Sequence, residues 1–266
     1  MFRSGDDGRV LQFPPYAPPG WLSVLAPPGH GQAFAVPAPA LGDGAAVAVR
    51  TWAPAGVPDD EALPLLVVHD GPEYDTRGGL TRYLAAGVAG AWLPPVRAAL
   101  LSPGLRDQWY SAHPAYTRTL AEAVLPAVTG RLASTARIGM GASLGGLAVL
   151  HAHVRYPGTF GGLFLQSGSF FTLRYDRMEE GFRYFRRIVR FVSGVNGGRP
   201  LPRPVPVTAT CGRLEDNVHN NRLLVQSLSG HHYPAVLHEV RGGHDWTAWR
   251  DSLDPHLSGL LRRLAA

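Results

Sequence analysis

The chain contains no lysine, a single cysteine and no long apolar run. With one cysteine there is neither an intramolecular disulfide nor a zinc site built on thiolates. The longest apolar stretches fall short of the roughly 18 residues that a membrane-spanning helix needs. The first ten residues, MFRSGDDGRV, lack the apolar core of a secretory signal, so the expected location is the cytoplasm. Charged side chains are sparse, at 17%, yet the formal net charge is +5. All 25 basic residues are therefore arginine. They are spread along the chain instead of being gathered into one basic block, which argues against nucleic acid as the partner. A positive balance permits an anionic ligand without demanding one. No repeat of fixed period is present.

What is present is a chain of 266 residues, long enough for one α/β domain with a large core. Residues 1–45 are rich in proline, glycine and alanine and read as an irregular or edge-strand lead-in. Residues 46–266 then alternate between strand and helix patterns. Ala46–Ala53, Pro64–Asp70, Val96–Leu101, Ala136–Met140, Gly162–Gln166, Val205–Ala209 and Ala235–Val240 read as strands. Pro114–Leu132, the segment after Ser143, Asn220–Leu228 and Trp246–Leu264 read as helices. Such alternation predicts a mostly parallel central sheet with helices on both faces. Residues 170–204 interrupt the pattern and are expected to form a small cap insertion. Within it, Phe182, Phe185, Ile188, Val189 and Val192 mark an apolar stripe bordered by Arg183, Arg186, Arg187 and Arg190. The stripe suits a packed cap with a solvated arginine face. In a sharper reading, Arg187 and Arg190 meet an anionic substrate.

Chemistry is concentrated at three strand ends. Gly141-Ala142-Ser143-Leu144-Gly145 matches G-x-S-x-G directly after one strand and directly before a helix. A serine there sits on a tight turn that raises its hydroxyl above the sheet edge and puts the Leu144 N–H at a helix start, free to donate to an oxyanion. A serine hydroxyl needs a base. Of 11 histidines, His244 in RGGHDW stands out, on a glycine loop after the last strand. The carboxylate that orients it should follow the preceding strand, where both Glu215 and Asp216 qualify. The order Ser143, acid, His244 is that of the α/β-hydrolase fold. A second oxyanion donor is expected from HDGPEY, at the N–H of Gly71 or one further along such as Glu73. Asp70 either belongs to that loop or holds its turn. His151 and His153 lie two apart on a helix, share no face and read as packing residues rather than metal ligands. Cys211, in a buried strand, reads as a small apolar residue.

The blocks LLVVHDGPEYD, RDQWYSAHPAYTRTLAEAVLPAV, IGMGASLGGLAVLHAHVRYPGTFGGLFLQSGSF, CGRLEDN and RGGHDWTAWRDSL resemble the Putative esterase family of α/β-hydrolases. The closest branch is that of the enterochelin (ferric enterobactin) esterases; feruloyl esterases, S-formylglutathione hydrolases and mycolyltransferases are more distant. The resemblance spans residues 45–264. It implies Ser143 as nucleophile, His244 as base and Glu215, rather than Asp216, as acid, with the oxyanion held by the N–H groups of Leu144 and Gly71. It implies a serine carboxylic-ester hydrolase acting on a small-molecule ester, siderophore-type or aromatic, with no cofactor. An acyltransferase using the same acyl-enzyme and a non-catalytic binding protein on the same fold are the alternatives. In one respect the chain departs from that branch. Cytoplasmic enterochelin esterases carry a separate N-terminal domain, and here residues 1–45 stand in its place.

Overall fold

The computed structural model describes residues 16–198, 200–201 and 203–265. The reading of residues 1–10 as lacking an export signal falls outside them. Among the described residues, eight strands form one sheet: β1 (Ala33–Pro37), β2 (Ala46–Trp52), β3 (Leu63–His69), β4 (Arg97–Leu101), β5 (Ser134–Ala142), β6 (Gly162–Gln166), β7 (Val207–Gly212) and β8 (Ala235–Val240). Their order is β1-β2-β4-β3-β5-β6-β7-β8. β1 pairs antiparallel with β2, and β2 antiparallel with β4. All other neighbours are parallel. The Pro/Gly-rich lead-in thus supplies the edge strand β1, a position where missing backbone donors are tolerated.

Parallel neighbours need crossover connections, and helices provide them. α1 (Gly71–Thr76) and α2 (Leu80–Ala89) lead from β3 to β4. α3 (Arg106–Tyr110), α4 (Pro114–Thr119) and α5 (Leu125–Thr129) lead to β5. α6 (Leu144–Arg155) joins β5 to β6, α7 (Phe185–Asn196) joins β6 to β7, and α8 (Val218–Gly230) joins β7 to β8. α9 (Trp246–Asp251) and α10 (Ser258–Ala265) close the chain. Two spans that read as single helices are broken, both at proline. Pro126 cannot donate to the turn before it, and residues 120–124 widen into a π-turn between α4 and α5. Asp254, just before Pro255, is extended at φ −106°, ψ 129°, so α9 stops short of α10. The first helical pair, α1 and α2, escaped the sequence reading, because the residue before α2 is Gly79 in the left-handed region and offers no capping side chain.

β3, β4, β6 and β7 are buried along their whole length. Alternate side chains enter separate cores. Leu65, Val67, Leu163 and Leu165 face the core shared with α6, whereas Leu66, Val68 and Phe164 face the one shared with α2 and α10. α6 lies against the centre of the sheet and is buried from Leu144 to His153. The insert divides into two parts. Residues 170–184 form turns beyond the carboxyl end of β6. α7 then packs Ile188, Val192 and Val195 into the same core as α6 and serves as the crossover to β7.

Leu147, wholly buried in α6 beneath the serine turn, reports on this packing. Leu147→Ala is expected to cost about 2–5 kcal/mol by urea denaturation.

Candidate active site

Ser143, Leu144, Glu215, His244 and Gly71 all lie just past the carboxyl ends of parallel strands, and therefore along one edge of the sheet. Ser143 links β5 to α6 with φ 55° and ψ −124°. That conformation strains any residue with a Cβ. It is enforced by close backbone crossing. A Cβ on Gly141 would lie 2.4 Å from the Gly145 carbonyl carbon and 2.8 Å from Gly146 N. The Ser143 N–H donates to Gln166 O (2.9 Å) and Ser143 O accepts from Ser169 N (3.1 Å), so the turn is stitched to the end of β6. Leu144 opens α6, and its N–H has no acceptor within the helix.

Gly71 opens α1 directly above β4. A Cβ there would lie 2.4 Å from Leu100 Cα, so no side chain fits. Asp70, the preceding residue, is also left-handed (φ 55°) and buried. Its carboxylate receives both Nε and Nη2 of Arg106 at 2.8 Å. Burial lifts the Asp70 carboxyl above its ordinary value, although the Arg106 hydrogen bonds pull the other way. Asp70 thereby holds the turn that carries Gly71. Its Oδ2 would stand 3.2 Å from a Cβ on Gly145, against the serine turn itself.

Of the two carboxylates after β7, Glu215 is buried and Asp216 exposed. Glu215 Oε2 is 2.8 Å from His244 Nδ1. Its Oε1 accepts from Ser167 Oγ (2.7 Å) and from the Gly212 N–H (2.7 Å). Burial works to raise this carboxyl, but the hydrogen bonds from His244, Ser167 and Gly212 outweigh it and hold the pKa below the usual glutamate value. Trp249 packs edge-on against the His244 ring at 5.1 Å and donates its Nε1–H to Ser167 Oγ at 3.0 Å. The His244 side chain is 44% exposed, so the ring edge away from Glu215 remains reachable.

Other histidines are committed elsewhere. His69 is wholly buried, and burial pushes its pKa down to about 3. His151 bonds Thr117 Oγ1 at 2.6 Å and His153 bonds Tyr233 Oη at 3.1 Å; burial lowers them to about 3 and about 4. Both sit in the core. Cys211 is buried, with its thiol raised by burial and by Glu215. Among the described residues, no group of three or more His, Cys, Asp or Glu side chains is arranged to hold a metal, and no helix is long and apolar enough to cross a membrane. Arg187 directs Nε to Ser111 O and Nη2 to Gln108 O, both at 2.5 Å, tying α7 to α3. Arg190 is exposed.

The sequence reading missed the segment that follows β6. Ser143 Oγ is 3.1 Å from Ser169 Oγ, and among the described residues that hydroxyl, rather than His244, is its partner. Ser167, two residues earlier, reaches Glu215. The only available signal was the pair of serines in QSGSF, directly after a buried strand.

A strained serine between strand and helix, on a sheet of this order, defines an α/β-hydrolase fold. Residues 40–175, just over half of the chain, match the family described as Putative esterase, and the chain belongs to that family. Over 217 residues it is 27% identical to the iron(III) enterobactin esterase of Dickeya dadantii (strain 3937), covering 74% of this chain and 48% of that one. The enterobactin esterase FES of Shigella flexneri, solved in the presence of enterobactin, has TM-score 0.78 at 21% identity, over 94% of this chain and 63% of that one. The ferric enterobactin esterase of Salmonella typhimurium has TM-score 0.76 at 21% identity, over 96% and 64%. A ferulic acid esterase has TM-score 0.71 at 14% identity, over 90% and 99%. At these identities the structural likeness is one of fold. The chain spans about half the length of the curated relative and under two-thirds of the solved enterobactin esterases.

Because its native pKa is depressed, ionised Glu215 stabilises the fold above the ordinary glutamate value, and that contribution is lost as pH falls through the native pKa. Ser167→Ala removes one of the hydrogen bonds that lower it. Carbon-detected NMR titration is expected to show Glu215 below ordinary glutamate in the wild type and shifted upward in the variant.

Proposed function

We propose that this protein is a carboxylic-ester hydrolase working through an acyl-enzyme on Ser143. The observation that carries the reading is a hydroxyl on a strained strand-to-helix turn, on the same sheet edge as a Glu215–His244 pair joined at 2.8 Å. Membership of the Putative esterase family supports the reaction class.

In this reading His244 Nε2 takes the Ser143 proton as Oγ bonds to the ester carbonyl carbon. Catalytic hydrogen bonds commonly tighten only once substrate is seated, and in this reading the bond from Ser143 Oγ to His244 forms at that point. The oxyanion is met by the N–H groups of Leu144 and Gly71, each the first residue of a helix and without an intrahelical acceptor. His244 next protonates the leaving alkoxide as its C–O bond breaks. A water then gives its proton to His244, attacks the acyl carbon and releases the carboxylic acid, returning the proton to Ser143. Ionised Glu215 fixes the imidazole orientation and stabilises its cation. None of these steps draws on a cofactor.

The substrates are proposed to be siderophore-type or aromatic esters. This follows the curated relative, an iron(III) enterobactin esterase, and the fold neighbours, which include a ferulic acid esterase. Arg190, exposed on α7, is the candidate contact for an anionic group. Arg187 has the same candidacy but already binds two backbone carbonyls.

The test is hydrolysis of p-nitrophenyl acetate and butyrate, alongside mass spectrometry of ferric and iron-free enterobactin after incubation. Wild type is expected to cleave the simple esters and Ser143→Ala to lose kcat by on the order of 10⁴-fold or more. Opening of the trilactone supports the siderophore assignment. An untouched siderophore with cleaved feruloyl esters moves the substrate to the aromatic class. A wild type that neither hydrolyses any of these nor takes a fluorophosphonate label on Ser143 overturns the reading.

A further inference from the structure

We propose that Ser169 is a further catalytic residue, whose hydroxyl donates a hydrogen bond to Ser143 Oγ while that oxygen carries negative charge. The inference rests on Ser143 being the nucleophile.

The two hydroxyl oxygens are 3.1 Å apart, and Ser169 is 5% exposed. The contact is not a loose meeting of side chains. Ser169 N–H also donates to Ser143 O at 3.1 Å, so the residues are latched through main chain and side chain together. The segment that bears Ser169 is held from the far side by α8. Asn221 accepts from Gly168 N and donates to Gly168 O, both at 3.1 Å, and Asn217 Nδ2 donates to Ser167 O at 2.8 Å. A side chain on Gly168 would collide with the buried Phe170 ring at 2.2 Å, so the ring packs directly against the segment beside the serine turn. A donor fixed in this way needs no reorganisation during the reaction.

The proton count gives the role its direction. Of the two protons on a pair of bonded hydroxyls, one lies between the oxygens and the other is free. When Ser169 donates, the Ser143 proton is left for His244 Nε2. Once His244 has taken it, Ser143 Oγ carries developing negative charge and the bond from Ser169 becomes charge-assisted, hence stronger. The same holds at the end of deacylation. The C–Oγ bond breaks, its electron pair stays on Oγ, and the imidazolium returns the proton; Ser169 stabilises Oγ meanwhile. Ser169 keeps its own proton throughout, so both steps balance with the groups already named. This contribution exists in the transition state and is small in the resting enzyme, and should therefore appear in kcat more than in KM.

The experiment compares wild type, Ser169→Ala and Ser169→Thr, with Ser143→Ala as the blank. Steady-state hydrolysis of p-nitrophenyl butyrate is measured together with the second-order rate of fluorophosphonate labelling. Ser169→Ala is expected to lower kcat roughly tenfold, about 1.4 kcal/mol, with KM within about twofold. Its labelling rate should fall in step, and Ser169→Thr, which keeps the hydroxyl, should recover most of both. If circular dichroism shows Ser169→Ala unfolded, Ser169→Cys keeps the volume, weakens the donor and carries the same comparison. A kcat within about twofold of wild type, a loss confined to KM, or a threonine variant no better than alanine overturns the role of Ser169. In those cases Ser143→Ala remains inactive and wild type active, so the nucleophile assignment survives. A wild type that neither hydrolyses nor labels removes the nucleophile, and Ser169 falls with it.

Discussion

The backbone of Ser143, at φ 55° and ψ −124°, is the constraint around which the rest of the site is arranged. A residue with a side chain held there costs of order 1–3 kcal/mol, so the surroundings must over-determine it. They do so from three directions. Gly141 lets the two arms of the turn cross at a distance no Cβ would allow, and Gly145 leaves room for the Asp70 carboxylate beside it. α6, buried along almost its whole length, anchors the outgoing arm in the core. The end of β6 takes up the amide and the carbonyl of Ser143 itself. The strain is useful because it points a hydroxyl away from the sheet while leaving the next N–H unpaired at a helix start.

One short segment bonds both Ser143 and Glu215. Residues 166–169 bond Ser143 through Gln166 O, Ser169 N and Ser169 Oγ, and bond Glu215 through Ser167 Oγ. Gln166 Nε2 also donates to Trp249 O and Ser252 Oγ, and Tyr74 Oη donates to Gln166 Oε1. Trp249 in turn packs against His244. The positions of the hydroxyl, carboxylate and imidazole are therefore coupled through a buried polar network with its central donors and acceptors paired. In a low-dielectric interior such a network is rigid when satisfied and costly when broken.

The ion pair of buried Asp70 with half-buried Arg106 plays a comparable part for the loop after β3. A carboxylate this deep, beside the serine turn, would be expensive without a bidentate partner. Paired, it fixes a second left-handed residue and thereby the start of α1. Two strained residues, Asp70 and Ser143, thus face one another across the β3–β5 ladder, each holding the first N–H of a helix at the same sheet edge.

Much of the architecture was legible because it follows from local rules. Short runs between turn signals mark the strands, and the interior Gly162–Gln166 and the edge strand Ala235–Val240 match to the residue. G-x-S-x-G could be recognised because steric crowding at a tight turn demands glycine at fixed offsets. The chain order of serine, acid and histidine followed from the order of the strands. Helix breaks at Pro126 and Pro255 are written in the sequence as missing backbone donors, while the apolar periodicity runs on through both. Glu215 and Asp216 could not be separated from their residue types alone; only the fold shows which is buried against His244. Beyond the two serines of QSGSF following a buried strand, nothing local marks Ser169, Ser167, Trp249 or Arg106, since each acts on a residue 26 to 82 positions away. The sequence by itself determined the strand–helix alternation, the strained turn and the types of side chain available, because those depend on near neighbours. Only the tertiary structure decided which of them meet, because distances across a sheet are set by strand order and register.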